Sequence, residues 1–96
     1  MKLSATVLLL TISPAILATD FNCTNGTAER SIKVAYEKEN SSVPCKVVYE
    51  KKDTGTVEYP WNANNEVGYC EEKAKYLAAR LAGFGWQCVA QASTDD

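Results

Sequence analysis

The chain contains no histidine. That absence removes the usual general base at neutral pH, the commonest metal ligand and the ordinary partner of a serine or cysteine nucleophile. No Cys-x-x-Cys pair occurs, which argues against a thioredoxin-like redox centre. The four cysteines are spaced by 22, 25 and 18 residues and lack the paired knuckle of a zinc ribbon. No glycine-rich loop links a strand to a helix, so no phosphate cradle is signalled. Internal repeats and low-complexity blocks are missing as well. The adjacent carboxylates Glu71-Glu72 point about 100° apart on a helix and do not converge on one substrate. They and Asp95-Asp96 read as solvated charge. These gaps leave no catalytic residue, metal site or cofactor to assign, and the expectation is a protein that is not an enzyme.

What is present begins with Met1-Lys2 and an uncharged stretch from Leu3 to Ala18, rich in leucine, isoleucine and valine. This is the pattern of a secretory signal peptide, residues 1–18, with cleavage expected after Ala18. Pro14 interrupts the stretch, which is shorter than the ~20 apolar residues of a membrane-spanning helix. No membrane insertion is expected once the signal is gone. Cys23 follows Phe21-Asn22 rather than small residues, so a lipid anchor is not expected either. Loss of Lys2 leaves nine basic against twelve acidic side chains, a net charge of −3. Those charges alternate in sign instead of gathering into a basic patch, which argues against nucleic acid as a partner.

Residues 19–96 are too few for a large core, so a single small domain with covalent staples is expected. Cys23, Cys45, Cys70 and Cys88 make an even count, read as two disulfides in an oxidising compartment. Residues 19–30 have little apolar content beyond Phe21 and read as a loose arm, with Asn25-Gly26 a turn signal. Asn-x-Ser/Thr triplets stand at Asn22, Asn25 and Asn40; they are glycan acceptors in a eukaryotic host and carry no meaning in a bacterial one. Ile32, Val34 and Tyr36 alternate with polar neighbours, a half-buried strand. Lys38 to Pro44 is a polar loop. Cys45, Val47 and Tyr49 mark a second strand, Lys51 to Gly55 a hairpin turn, and Thr56 to Trp61 the return. That return has Val57, Tyr59 and Trp61 on one face, and Pro60 makes it an edge strand. Asn64 or Asn65 is placed to cap a helix, with Glu66 in its first turn. Cys70, Ala74, Leu77, Ala78 and Leu81 form the apolar stripe of that helix. Gly83 ends it, and Trp86, Cys88 and Ala90 begin a last strand before the frayed tail 91–96.

The fold expected is α+β, a small antiparallel sheet of ββαβ order with an extra N-terminal strand, packed on one helix. The simplest arrangement sets the Cys45 strand between the hairpin's return and the final strand. Cys45 and Cys70 then lie at the same end of the sheet. The helix travels about 20 Å away before the chain turns back, which separates Cys70 from Cys88. The pairing favoured is Cys45–Cys70 with Cys23–Cys88, the latter reached by the arm. The runner-up is Cys23–Cys70 with Cys45–Cys88.

Most of the aromatic residues are core candidates, because a small domain draws its burial from large side chains. Trp61 and Tyr69 flank the asparagine-rich turn, and Trp61, Asn62, Asn64, Asn65 and Tyr69 form the candidate binding surface. Arg80, four residues after Tyr76, suits a Tyr–Arg stack on the helix.

The stretch NEVGYCEEKA paired with GFGWQC, after VYEKKDTG, resembles a group of short exported proteins of Gram-negative bacteria. The resemblance covers roughly residues 45–88 and implies a periplasmic location rather than an activity. Two functions follow as expectations. One is a non-enzymatic periplasmic or secreted interaction module of accessory, sensor-modulating or inhibitor type, with another exported protein as its partner. The other is a small-ligand or glycan-binding module using the Trp61–Tyr69 region.

Overall fold

A chain this polar builds strands only where inward positions are apolar at every second residue. Phe21 and Cys23 meet that condition, alternating with Asp20, Asn22 and Thr24. In a computed structural model, which describes residues 20–91, this segment is strand β1 (Asp20–Asn25). It is followed by β2 (Ala28–Tyr36), β3 (Cys45–Lys51), β4 (Thr56–Ala63), helix α1 (Tyr69–Gly83) and β5 (Gln87–Gln91). The expected loose arm is therefore corrected: most of residues 19–30 is a two-stranded hairpin. Gly26 and Thr27 form its turn. Gly26 takes φ of +64°, a value costly for a side chain with a Cβ, so glycine suits this two-residue connection. The expected signal peptide and the end of the tail lie outside the described residues.

The five strands form one antiparallel sheet in the order β4-β3-β2-β1-β5. The first four make a simple meander. α1 then carries the chain across one face to the opposite edge, where β5 pairs with β1. This corrects the expected order, in which the final strand sat beside the Cys45 strand. β1 and β2 intervene, because the hairpin at Gly26 builds the sheet outward on that side. The α+β class, the single helix and both disulfides agree with expectation: Cys45 is bonded to Cys70 and Cys23 to Cys88. Cys23 reaches Cys88 for a different reason than a flexible arm. The two face each other directly across the β1–β5 ladder, with Cα atoms 3.9 Å apart.

The core lies between α1 and one face of the sheet. Ile32, Val34, Cys45, Val47 and Tyr49 are buried from the sheet side, and Cys70, Ala74, Ala78 and Leu81 from the helix. Two alanines on that stripe let the helix backbone lie close to the strands; Leu77, expected in the core, is only half-buried at its margin. The helix start also differs from expectation. Asn62 and Ala63 belong to β4, and Glu66 precedes the helix. Its N-cap is Gly68 at φ +91°, with no side-chain cap from Asn64 or Asn65. The left-handed turn at Gly68 sets the direction in which α1 leaves the loop.

β4 carries a further correction. The β3–β4 register shifts between Val47 and Tyr49, so that Val47 faces Trp61 while Tyr49 faces Glu58. The extra residue, beside Pro60, splits the expected Val57-Tyr59-Trp61 face. Val57 and Tyr59 turn outward and are exposed, while Trp61 turns toward α1 and is half-buried. An edge strand bearing a bulge and a proline is a poor template for further pairing.

At the far end of the helix, Arg30 ties three segments together. Its guanidinium donates to both Asp53 oxygens at 3.2 and 3.1 Å and to the Tyr49 hydroxyl at 2.8 Å. It also lies 4.5 Å from the centre of the Trp86 ring. The β3–β4 turn, the sheet and the chain entering β5 are thus held by one planar cation. The Arg30 hydrogen bond holds the Asp53 carboxyl below its ordinary range.

Candidate functional site

The inward turn of Trp61 places its ring against the flank of α1. There it meets Tyr76 edge to face, with centroids 6.0 Å apart and planes at 78°. Tyr69, Lys73, Tyr76, Arg80 and Phe84 follow one another at spacings of four, three, four and four residues. Such spacing aligns them along one side of the helix and its C-cap. The result is a ladder in which aromatic rings and cations alternate. Lys73 Nζ sits 5.5 Å from the Trp61 centroid, 5.5 Å from Tyr69 and 5.3 Å from Tyr76. Arg80 lies 5.8 Å from Tyr76 and 5.9 Å from Phe84. It also donates to the Tyr76 hydroxyl at 3.1 Å. The expected Tyr76–Arg80 stack is therefore present. That hydrogen bond and the positive charge of Arg80 hold the Tyr76 phenol below its ordinary range.

Each cation–ring contact at a surface is worth about 0.5–1 kcal/mol, enough to bias rotamers without burying the charge. Lys73 and Arg80 form no ion pair among the described residues. Arg30 differs in this respect, since its charge is met by Asp53. The ladder also presents apolar surface to solvent: Tyr76 is 46% exposed and Phe84 70%. Fixed aromatic rings with an arginine among them are the composition of protein contact sites.

Beside the upper end of the ladder lies a shallow hollow of about 410 Å³, lined by Asn62, Ala63, Asn64, Asn65, Glu66 and Tyr69. Four of the five residues expected to form a binding surface, namely Asn62, Asn64, Asn65 and Tyr69, therefore line one depression. Trp61 does not; it belongs to the ladder, and Tyr69 takes part in both. The asparagine amides supply donors and acceptors, and Glu66 adds one negative charge to the rim.

Lys73 and Phe84 were missing from the expected surface. Their signal is the four-three-four-four spacing itself, readable once Tyr76–Arg80 is recognised as part of a longer row. On the opposite flank, the Tyr36 hydroxyl donates to Glu71 at 2.5 Å and ties α1 to β2. No protein-family model, curated protein or solved structure matches the chain. Function must therefore be argued from the ladder and the hollow. Two disulfides are consistent with an oxidising compartment. No helix among the described residues is long and apolar enough to cross a membrane.

Proposed function

We propose that this protein is a non-enzymatic binding module, exported to the periplasm or secreted, that docks another exported protein on the ladder of α1. The carrying observation is Lys73 and Arg80 held between the rings of Trp61, Tyr69, Tyr76 and Phe84 on an exposed flank. Side chains already fixed by their neighbours lose little further entropy on binding, so such a surface is prepared for a partner. Export is supported by the uncharged Leu3–Ala18 stretch and by the two disulfides. The reading is tested by capture from the exported fraction of the native host, comparing the natural chain with Tyr76→Ala and with Lys33→Ala on the other face of the sheet. One protein retained by the natural chain and by Lys33→Ala, and lost with Tyr76→Ala, is the expected result. Equal retention by all three removes the ladder as the contact surface.

The hollow supports a second reading, a site for a small ligand or glycan. Its amides suit hydroxyl groups, and Tyr69 supplies one ring. The geometry favours the first reading. A sugar stacks on a free ring face, whereas Trp61, Tyr69 and Tyr76 each have Lys73 within 5.5 Å of the centroid. Titration of tryptophan fluorescence with cell-wall fragments separates the two: saturation that Asn64→Ala abolishes selects the hollow.

A further inference from the structure

The ladder also has a polarity that specifies its occupant. Lys73 and Arg80 are seven residues apart on one helix. Seven residues make nearly two turns, so the two charges share a side and stand about 10 Å apart along the axis. Glu66 lies beyond one end of the row, on the rim of the hollow, and Glu72 is exposed one residue before Lys73. The chain as a whole carries net negative charge. The positive ladder is thus a narrow stripe on an acidic molecule, and a broad anionic surface brought against it would meet those carboxylates too.

From this arrangement we infer that the ladder binds an acidic peptide segment, with two carboxylates spaced to meet Lys73 and Arg80 and an apolar side chain between them to rest on Tyr76. The inference rests on the proposed docking function and names the chemistry of the partner. A peptide in the polyproline II conformation has three residues per turn and rises about 3.1 Å per residue, so carboxylates three residues apart share a face about 9 Å apart and match the two cations. On a helical partner the match is seven residues, the same two turns. The rings act on the cations rather than on the peptide charge. They hold each ammonium or guanidinium in place while leaving its outer hydrogens for a carboxylate. Tyr76 and Phe84, both exposed, supply the apolar contact between and beyond the charges. A membrane surface is a weaker fit, because two cations bordered by acidic residues give little attraction to anionic headgroups.

Selection of random peptides displayed on phage, using the folded oxidised protein as bait, tests the inference without knowledge of the natural partner. Recovered peptides should be enriched in aspartate and glutamate at a spacing of three or seven, with an apolar residue between. The best of them, made synthetically and measured by fluorescence anisotropy, should bind about tenfold more weakly to the Lys73→Gln, Arg80→Gln double variant, and more weakly as salt rises. Circular dichroism of the double variant, expected to match the natural chain, shows that the loss is local. Recovery of neutral or basic peptides overturns the inference, as does an acidic peptide held equally well by the double variant. Binding of phosphatidylglycerol–phosphatidylcholine vesicles through Lys73 and Arg80, without selection of acidic peptides, overturns it in favour of a lipid surface. If the captured exported protein is lost with Tyr76→Ala but kept by the double variant, docking stands and the acidic partner falls.

Discussion

Removal of the Cys23–Cys88 bridge by double substitution to alanine probes how β5 is held. The bridge closes a loop of 65 residues in the unfolded chain. Chain-entropy reasoning assigns such a constraint about 4.3 kcal/mol, against about 3.5 kcal/mol for the 25-residue separation of Cys45 and Cys70. A domain of this length has roughly 4–11 kcal/mol in total, so loss of either bridge leaves little in reserve. The two losses should differ in where they act. β5 has five residues, lies at the sheet edge and buries little: Gln87, Val89, Ala90 and Gln91 are exposed and Cys88 is half-buried. Without the bridge, its ladder with β1 and a smaller contact with α1 hold it. In Cys23→Ala/Cys88→Ala, backbone amides of β5 should exchange with solvent far faster than those of β2 and β3. The urea midpoint followed by circular dichroism should fall by an amount equivalent to about 3–5 kcal/mol. In Cys45→Ala/Cys70→Ala, which unties the buried first turn of α1 from the start of β3, protection should be lost across helix and sheet together. A midpoint change below about 1 kcal/mol in the first variant would refute this reasoning, as would β5 amides protected as well as those of β2.

Three further outcomes follow from contacts already described. Ala74, fully buried between α1 and the sheet, replaced by leucine should lose about 1–3 kcal/mol by overpacking; Lys75→Ala, exposed on the outer helix face, should stay within about 0.5 kcal/mol by the same denaturation assay. Asp53 is held below its ordinary range by Arg30, so the ion pair contributes stability above the unfolded carboxyl value. That contribution is lost as pH falls through the depressed folded value; Asp53→Asn should therefore be less stable at neutral pH and converge with the natural chain in acid, as read by thermal melting. Spectrophotometric titration at alkaline pH should show the Tyr76 phenol ionising at a higher pH in Arg80→Gln than in the natural chain, since the guanidinium that favours the phenolate is gone.

The parts of the fold readable in advance are those fixed by local chemistry. Lys51 to Gly55 announces a turn ending in a left-handed residue, and Gly55 has φ of +77°. The stripe of Cys70, Ala74, Ala78 and Leu81 states which helix face is buried. Placing Cys45 and Cys70 at one end of the sheet followed from counting residues along strand and helix. β1 is not legible in the sequence because only Phe21 and Cys23 face inward, and two apolar residues in six look like a loop. Once β1 is a strand, the place of β5 changes with it. The helix cap differs from expectation because Asn64 and Asn65 are good caps by composition, while Gly68 takes the position by adopting a left-handed backbone. At the binding surface, Tyr76–Arg80 was readable from helical spacing alone. The convergence of three rings on Lys73 was not, since Trp61 turns inward only through the register shift beside Pro60.

The two disulfides are nested: Cys23 and Cys88 enclose Cys45 and Cys70. A chain emerging amino end first therefore presents its first two thiols before the native partner of either exists. Oxidation at that moment would join Cys23 to Cys45. The meander stands in the way. Across the β1–β2 ladder Cys23 lies opposite Arg30, and across β2–β3 Cys45 lies opposite Tyr36. Those two rows are six residues apart on β2, roughly 20 Å along the strand. A bridge requires Cα atoms within about 7 Å. Once β1, β2 and β3 are paired in this register, the first pair of thiols is held apart until the helix delivers Cys70 and the last strand delivers Cys88.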